Sequence, residues 1–424
     1  MSDHLPQRGA LLTRFEEHLA KAGYVSKVVE RYRSLADQFF AHLGKRHVLI
    51  DAVQPCHVTM FVRCELRRFA RRHGHGPASI NRWRRLHTCA VHRLLRLTKG
   101  QWPPIVPARS PYEAFSQALC AEYAAWLDER RGLATETIND LAAEARRFLS
   151  WYGQCKSADA LSAIAIADID AYLQARAPLL RRVSRKGVAQ RLRCFLRFAH
   201  ATGRTERDFA PSVTAPTLYA LESIPSALRP EDIRAVVETT RNDHSPKGLR
   251  DYAILMLLST YGLRAGEITQ LQLDDIDWRG DRFCVHHTKT GAQSVLPLLP
   301  AVGEALLAYL RRGRPRTEVR EIFIRARAPY RGFVSGSSLY TPVRRRLEAA
   351  GVQPKGKRGP HTFRHARAVS LLRSGTPMKI IGDVLGHRSA ASTSPYLKLA
   401  TEELRDVALD IPMRTGRSSH ENLA

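Results

Sequence analysis

The strongest constraint on this chain is that its first half repeats. FEEHLAKAGYVSKVVERYRSLADQFFAHLGK (15–45) lies along YAAWLDERRGLATETINDLAAEARRFLSWYGQ (123–154) with a one-residue gap. Phe15 then meets Tyr123, Gly23 meets Gly132, Phe39 meets Phe148 and Gly44 meets Gly153. Further on, LIDAVQPCHVTMFV (49–62) matches ALSAIAIADIDAYL (160–173) in its apolar spacing. Each copy ends in a basic helix, INRWRRLHTCAVHRLLRL (80–97) or SRKGVAQRLRCFLRFAHATG (184–203). An amphipathic helix has one apolar stripe and must bury it against others, so the repeat predicts a four-helix module present twice in tandem. The alternative is two unrelated helical bundles that share ordinary amphipathic spacing.

Two proline-rich stretches punctuate the chain, GQWPPIVPARSPY (100–112) and FAPSVTAPTLYALESIPSALRP (209–230), and both read as linkers. Beyond Pro230 the pattern changes. LRPEDIRAVVETT opens a helix with acids in its first turn, and RDYAILMLLSTYGL reads as a buried helix. DRFCVHHTKTGAQSVLPL (281–298) alternates at Phe283 and Val285 and turns near Thr290 and Gly291, as a hairpin does. Helices are expected at 301–312, 337–350, 362–373, 377–386 and 401–409. The domains expected are 1–105, 112–208 and 225–412, with a tail at 413–424. The fold class is mainly α with one small antiparallel sheet.

Composition bears on partners. The 424 residues hold 67 Lys and Arg against 40 Asp and Glu, a formal charge of +27. The excess is uneven, +13 over 1–110, +3 over 111–220 and +11 over 221–424. Such a surplus favours a polyanion, nucleic acid first among them. The opening MSDHLPQRGALLTRFEEHL lacks the apolar core of a signal peptide, and YAILMLLSTYGL (252–263) is too short to span a bilayer. The seven cysteines are scattered and never form CxxC, which argues against a disulfide framework or a zinc site. A cytoplasmic protein without a membrane partner is expected.

The unusual residues gather in four stretches of the last domain: STYGLRAGEITQLQLDDID (259–277), HHTKTGAQSVLPL (286–298), GPHTFRHARAVSLLRSG (359–375) and IGDVLGHRSAASTSPYLKLA (381–400). Arg264 follows an apolar helix and needs an anion, either Glu267, Asp274 or a ligand phosphate. Lys289 at a hairpin tip is, taken alone, a solvated lysine. His361 and Arg364 lie one turn apart at a helix opening, where free N–H groups favour an anion. His361 and His365 have the spacing of a zinc pair, but HTFRH lacks the Glu of HExxH and has Arg364 and Arg367 beside it. His387 reads alone as a helix-capping or hydrogen-bonded core histidine, and Tyr396 as a surface or packing residue.

Together these residues are what a metal-free attack on a phosphodiester needs. Arg264 and Arg364 neutralise the non-bridging oxygens as charge builds on phosphorus. A tyrosine, whose free pKa is about 10, becomes a phenolate more readily beside a base in a cationic pocket. A lysine donates a proton to the leaving 5′ oxygen.

YGLRAGE, HTFRH and VLGHRSAASTSPY, in this order, resemble the tyrosine recombinase (phage integrase) family over about 225–410. The family's Arg, Lys, His-x-x-Arg, His and Tyr fall on Arg264, Lys289, His361, Arg364, His387 and Tyr396. The resemblance implies that Tyr396 attacks a DNA phosphate to give a 3′-phosphotyrosyl link and a free 5′-OH, which rejoins in a partner duplex without a cofactor. It further implies Lys289 as general acid, His361 as general acid/base and His387 as a phosphate-positioning group. The implied partners are double-stranded DNA and a homo-tetramer on two sites, with or without related recombinases, and TEELRDVALDI (401–411) docks on a neighbouring subunit. Residues 112–205 resemble the family's core-binding (SAM-like) helical domain, ahead of a mixed α/β catalytic domain. Residues 1–100 look like a second copy, a departure from the usual single domain. Arg82, Arg84 and Arg85 in one copy, and Arg185, Lys186 and Arg191 in the other, are candidate DNA contacts, with a solvated basic helix face as the alternative. The expected role is integration or transposition of a mobile element. Chromosome or plasmid dimer resolution, or a non-catalytic DNA-binding accessory subunit, are the alternatives.

Overall fold

The computed structural model describes residues 4–104, 108–155, 161–219, 227–287, 291–354, 356 and 358–386. Its chain clusters into two compact units, one of residues 1–102 with 224 onward, the other of residues 103–223.

The repeat expected from sequence is present as a repeat of structure. The first copy comprises α1 (His4–Lys21), α2 (Ser26–Gly44), a 3-10 turn (Ile50–Ala52), α3 (Pro55–His73) and α4 (Ile80–Lys99). In the second, α5 (Pro111–Arg131), α6 (Thr135–Cys155), a 3-10 turn (Leu161–Ala163), α7 (Ile166–Arg176) and α8 (Arg182–Ala201) follow in the same order. The likeness extends to side chains. Phe39 meets Phe61 edge-on at 5.2 Å and 71°, and the equivalent Phe148 meets Tyr172 at 5.1 Å and 82°. Entry into the third helix is also shared. The amide of Gln54 donates to His57 Nδ1 at 2.9 Å, and that of Ala165 to Asp168 Oδ2 at 2.9 Å, so the third residue of each helix reaches back to the cap. Gly23 and Gly132 both turn the chain at positive φ, +81° and +53°, between the first two helices.

The proline-rich segments are not linkers from their first residue. Trp102 is buried in the first module's core, and Phe209, Ala210 and Val213 in the second's. The helices end at Lys99 and Ala201, ahead of the prolines, and the apolar side chains that follow still pack into the core of each bundle.

The remaining part begins with α9 (Pro230–Arg241) and α10 (Pro246–Tyr261), then α11 (Ala265–Gln270). The central helix α10 is buried on nearly every side, as its unbroken apolar run requires. Strands β1 (Ile276–Asp277), β2 (Arg282–His286) and β3 (Gln293–Pro297) form an antiparallel sheet in that order. Phe283 pairs with Leu296 and Val285 with Ser294, and both β2 residues face the core. The hairpin was expected, whereas β1 is too short to carry an alternation. Helices α12 (Pro300–Ala308), α13 (Tyr340–Ala349), α14 (Pro360–Arg373) and α15 (Met378–Leu385) complete the layer. The helix expected at 401–409 lies outside the described residues.

Buried charge ties this layer together. Arg346 of α13 bonds Asp251 at 3.0 Å and Asp243 at 2.7 Å, while Arg250 takes the other oxygen of Asp251. Within the same unit the first helical module rests on the loop after α12. The Tyr330 ring lies so close to Gly23 that a Cβ there would stand 2.4 Å from it. Neighbouring Tyr24 has its phenol pushed above the usual range by burial, against the pull of Arg93 and Arg325. No helix among the described residues is long and apolar enough to cross a membrane.

Candidate active site

The site is built where helices end. Gly262 stops α10 in the left-handed region at φ +67°, and Gly386 stops α15 at φ +61°. Helix C-termini leave carbonyl oxygens without intrahelical donors and carry partial negative charge. Arg364, one turn into α14 and 5% exposed, fills that need twice. Its Nη1 donates to the Gly262 carbonyl at 2.8 Å and its Nη2 to the Leu385 carbonyl at 2.5 Å.

Arg264 arrives from the other side of the same turn. Its Nη2 donates to the Gly386 carbonyl at 2.9 Å and its Nη1 to Glu267 Oε1 at 2.8 Å. The carboxylate also accepts the Arg264 amide through Oε2 at 2.7 Å, so one glutamate caps α11 and orients the guanidinium. Of the two sequence candidates for the protein anion, Glu267 is the partner. Asp274 pairs instead with Arg320. Glu267 is buried, and the Arg264 side chain keeps 18% exposure, enough to present its edge to a ligand.

The structure therefore brings Arg264 and Arg364 to adjacent carbonyls of one turn, immediately before position 387. His361 opens the same helix as Arg364 and is exposed, its ring centroid 6.4 Å from that of His365. Lys289, His387 and Tyr396 lie outside the described residues. A pair of guanidinium groups fixed by backbone carbonyls, beside an exposed imidazole at a helix opening, can hold a phosphate in a fixed orientation.

The sequence reading does not name His287, and the structure adds it. The imidazole is buried, with Nδ1 2.8 Å from Glu267 Oε1 and Nε2 2.8 Å from Ser294 Oγ. A signal was present: the alternation that buries Phe283 and Val285 also points residue 287 inward. His286 faces the other way and meets Asp275 at 3.0 Å.

The candidate DNA contacts divide by module. Arg82, Arg84 and Arg85 are exposed on α4. On α8, Arg185 is exposed and donates to the Leu180 carbonyl, Lys186 is half-buried, and Arg191 lies 3.9 Å from Asp140.

Comparison with known proteins places this geometry. Residues 226–403 match the phage integrase family. A putative integrase/recombinase of Sinorhizobium fredii is 59% identical over 189 residues, 45% of this chain and 97% of its own. The tyrosine recombinase XerD of Mycobacterium tuberculosis is 30% identical over 296 residues, 65% of this chain and 91% of its own. Among solved structures, the XerH site-specific recombinase bound to its difH substrate superposes with a TM-score of 0.54 at 16% identity, covering 72% of this chain and 98% of that one. The fold is thus that of the recombinases, and the sequence identities carry the kinship further: the chain belongs to the phage integrase family, the tyrosine recombinases.

Proposed function

We propose that this chain is a site-specific recombinase that cuts and rejoins double-stranded DNA through a phosphotyrosyl link at Tyr396. The observation that carries the reading is the placement of Arg264 and Arg364 on the carbonyls of Leu385 and Gly386. Two cations held on one turn are suited to a phosphate gaining charge in a five-coordinate transition state, where preorganised donors contribute most. His361 stands at the same helix opening as an acid/base group. In the proposed scheme Tyr396 attacks phosphorus, the 5′ oxygen leaves with a proton from Lys289, and His387 helps hold the phosphate. The freed 5′-OH of a partner duplex then attacks the phosphotyrosyl bond. Four subunits on two sites perform the two strand exchanges.

The role we favour is movement of an integrating or transposing element. In support, the Sinorhizobium relative named a putative integrase/recombinase is 59% identical over 189 residues, against 30% over 296 residues for the tyrosine recombinase XerD; dimer resolution is the alternative. The two helical modules supply DNA contacts ahead of the catalytic domain, Arg82, Arg84 and Arg85 from one and Arg185, Lys186 and Arg191 from the other.

The test is covalent trapping. Duplexes selected by the full chain from a randomised library are nicked to act as suicide substrates, and a denaturation-resistant protein–DNA adduct is sought. An adduct with the natural chain that is lost in Tyr396→Phe is expected. Retention of the adduct in that variant would remove Tyr396 from the role, and tight binding with no adduct in either protein would favour an accessory DNA-binding subunit.

A further inference from the structure

We propose that His287 is a positioning residue for strand cleavage, one that locks the Arg264 anchor, the hairpin leading to Lys289 and the turn leading to His387 into a single geometry. The inference rests on the recombinase reading above. It begins from a closed circuit of contacts. Arg264 donates to Glu267 at 2.8 Å, Glu267 accepts from His287 at 2.8 Å, the His287 ring supports Gly386, and the Gly386 carbonyl accepts from Arg264 at 2.9 Å. The support is close: a Cβ on Gly386 would stand 2.5 Å from Cε1 of the imidazole. Only glycine lets the turn lie flat on this ring, and its φ of +61° suits glycine as well.

The circuit fixes the ring's chemistry. A carboxylate only accepts, so the Nδ1–H of His287 donates to Glu267, and the Ser294 hydroxyl meets Nε2. The backbone of His287 is committed too. Its amide donates to the Ala292 carbonyl at 2.8 Å, and its carbonyl accepts from the Gly291 amide at 2.8 Å. These two bonds join the arms of the hairpin at His287, Gly291 and Ala292, so the ring and both arms share one anchor. Arg264 through Glu267, the strand end before Lys289 and the glycine before His387, on three separate segments of chain, are thus referred to one buried side chain.

A positioning role differs from a merely structural one in what it changes. Loss of structure lowers the fraction of molecules that cleave, whereas loss of positioning lowers the rate at which all of them cleave. Single-turnover adduct formation at saturating suicide substrate separates these as amplitude and rate constant. The full chain is compared with His287→Ala, His287→Asn and Tyr396→Phe on the same selected duplexes. His287→Ala is expected to keep its affinity and amplitude while its rate constant falls about 10²-fold, the scale of a misplacement near 1 Å. His287→Asn, whose amide can still donate to Glu267, is expected to recover part of that rate. A normal rate constant in His287→Ala overturns the proposal, as does a fall confined to amplitude. If His287→Ala does not fold, the decision passes to His287→Asn and Ser294→Ala, and normal rate constants in both overturn it. An adduct in the natural chain that is lost in Tyr396→Phe shows that the recombinase reading stands whatever His287 does. If the natural chain forms no adduct, both readings fall.

Discussion

Arg264 and Arg364 donate to consecutive main-chain carbonyls, Gly386 and Leu385, so that the two guanidinium groups meet across one turn at the end of α15. Each is held in place by acceptors of the protein itself, the carbonyls and, for Arg264, Glu267.

Arg364→Lys tests what that arrangement demands. An ammonium is a compact point charge and cannot bridge two carbonyls as a planar fork does. The buried acceptors left behind, the Gly262 and Leu385 oxygens, cost about 1–3 kcal/mol each when unpaired. The variant is expected to melt several degrees lower and to form adduct at least about 10²-fold more slowly. Adduct formation at the natural rate would show that charge alone suffices at this position.

A second expectation comes from the repeat. Tyr172 donates through its hydroxyl to the buried Glu144 at 2.5 Å, and Arg147 pairs with the same carboxylate at 3.0 Å. Phe61 fills the equivalent place in the first module, which shows that the ring packs without its hydroxyl. Tyr172→Phe should therefore lose one hydrogen bond to a charged group and little else, about 2 kcal/mol. The urea midpoint of the second unit measures this, and an unchanged midpoint would mean that Arg147 and Arg176, whose Nε lies 3.7 Å from Glu144, already satisfy the carboxylate.

The first module is expected to weaken in acid. Burial pushes His42, His87 and His92 below the ordinary imidazole range, with Arg46 adding to the effect at His42 and Arg96 at His92, while the Trp83 carbonyl opposes it at His87. Between those depressed values and about 6.5, the unfolded chain binds more protons than the folded one. Stability therefore rises with pH across that window, is complete above it, and is lost as pH falls through it. Calorimetry at pH values of about 7.5 and 5.5 should show the lower melting temperature in acid. His87→Phe keeps a ring against Trp83 but does not titrate, so its loss should be smaller. An equal loss in the variant would remove His87 from the account.

Arg82, Arg84 and Arg85, exposed together on α4, should act by neutralising phosphates. Replacing all three by alanine should weaken binding to selected and unselected duplexes alike. The slope of log affinity against log salt should fall by about 0.9 for each phosphate that is no longer neutralised. A weaker complex with an unchanged slope would instead assign this face to protein contacts.

Much of this architecture was legible in the sequence because its cause is local. Apolar spacing drew the repeated helices, and the alternation at Phe283 and Val285 drew the hairpin. Arg264 and Arg364 stood out because charged groups beside apolar runs require partners. The partners themselves were less legible, since the carbonyls of Gly262, Leu385 and Gly386 carry no side-chain signature and become acceptors only once two helices end side by side. His287 was hidden for a related reason. Its meaning depends on Gly386, far along the chain, and no short window contains both. The linker readings missed Trp102 and Phe209 because proline content reports where regular helix is absent, not where burial stops.

The seat of Tyr330 on Gly23 has one more consequence. Tyr330 on Gly23, with Arg325 acting on the neighbouring Tyr24, joins the first module to the loop after α12. Within one chain the two surfaces are never dilute, and their effective concentration is set by the tether that joins them rather than by the area they share. The contact made by the first hundred residues therefore needs less intrinsic affinity than one between separate molecules would. A single protease cut in the segment between Trp102 and Ser110 would end that advantage and leave the contact to its own affinity.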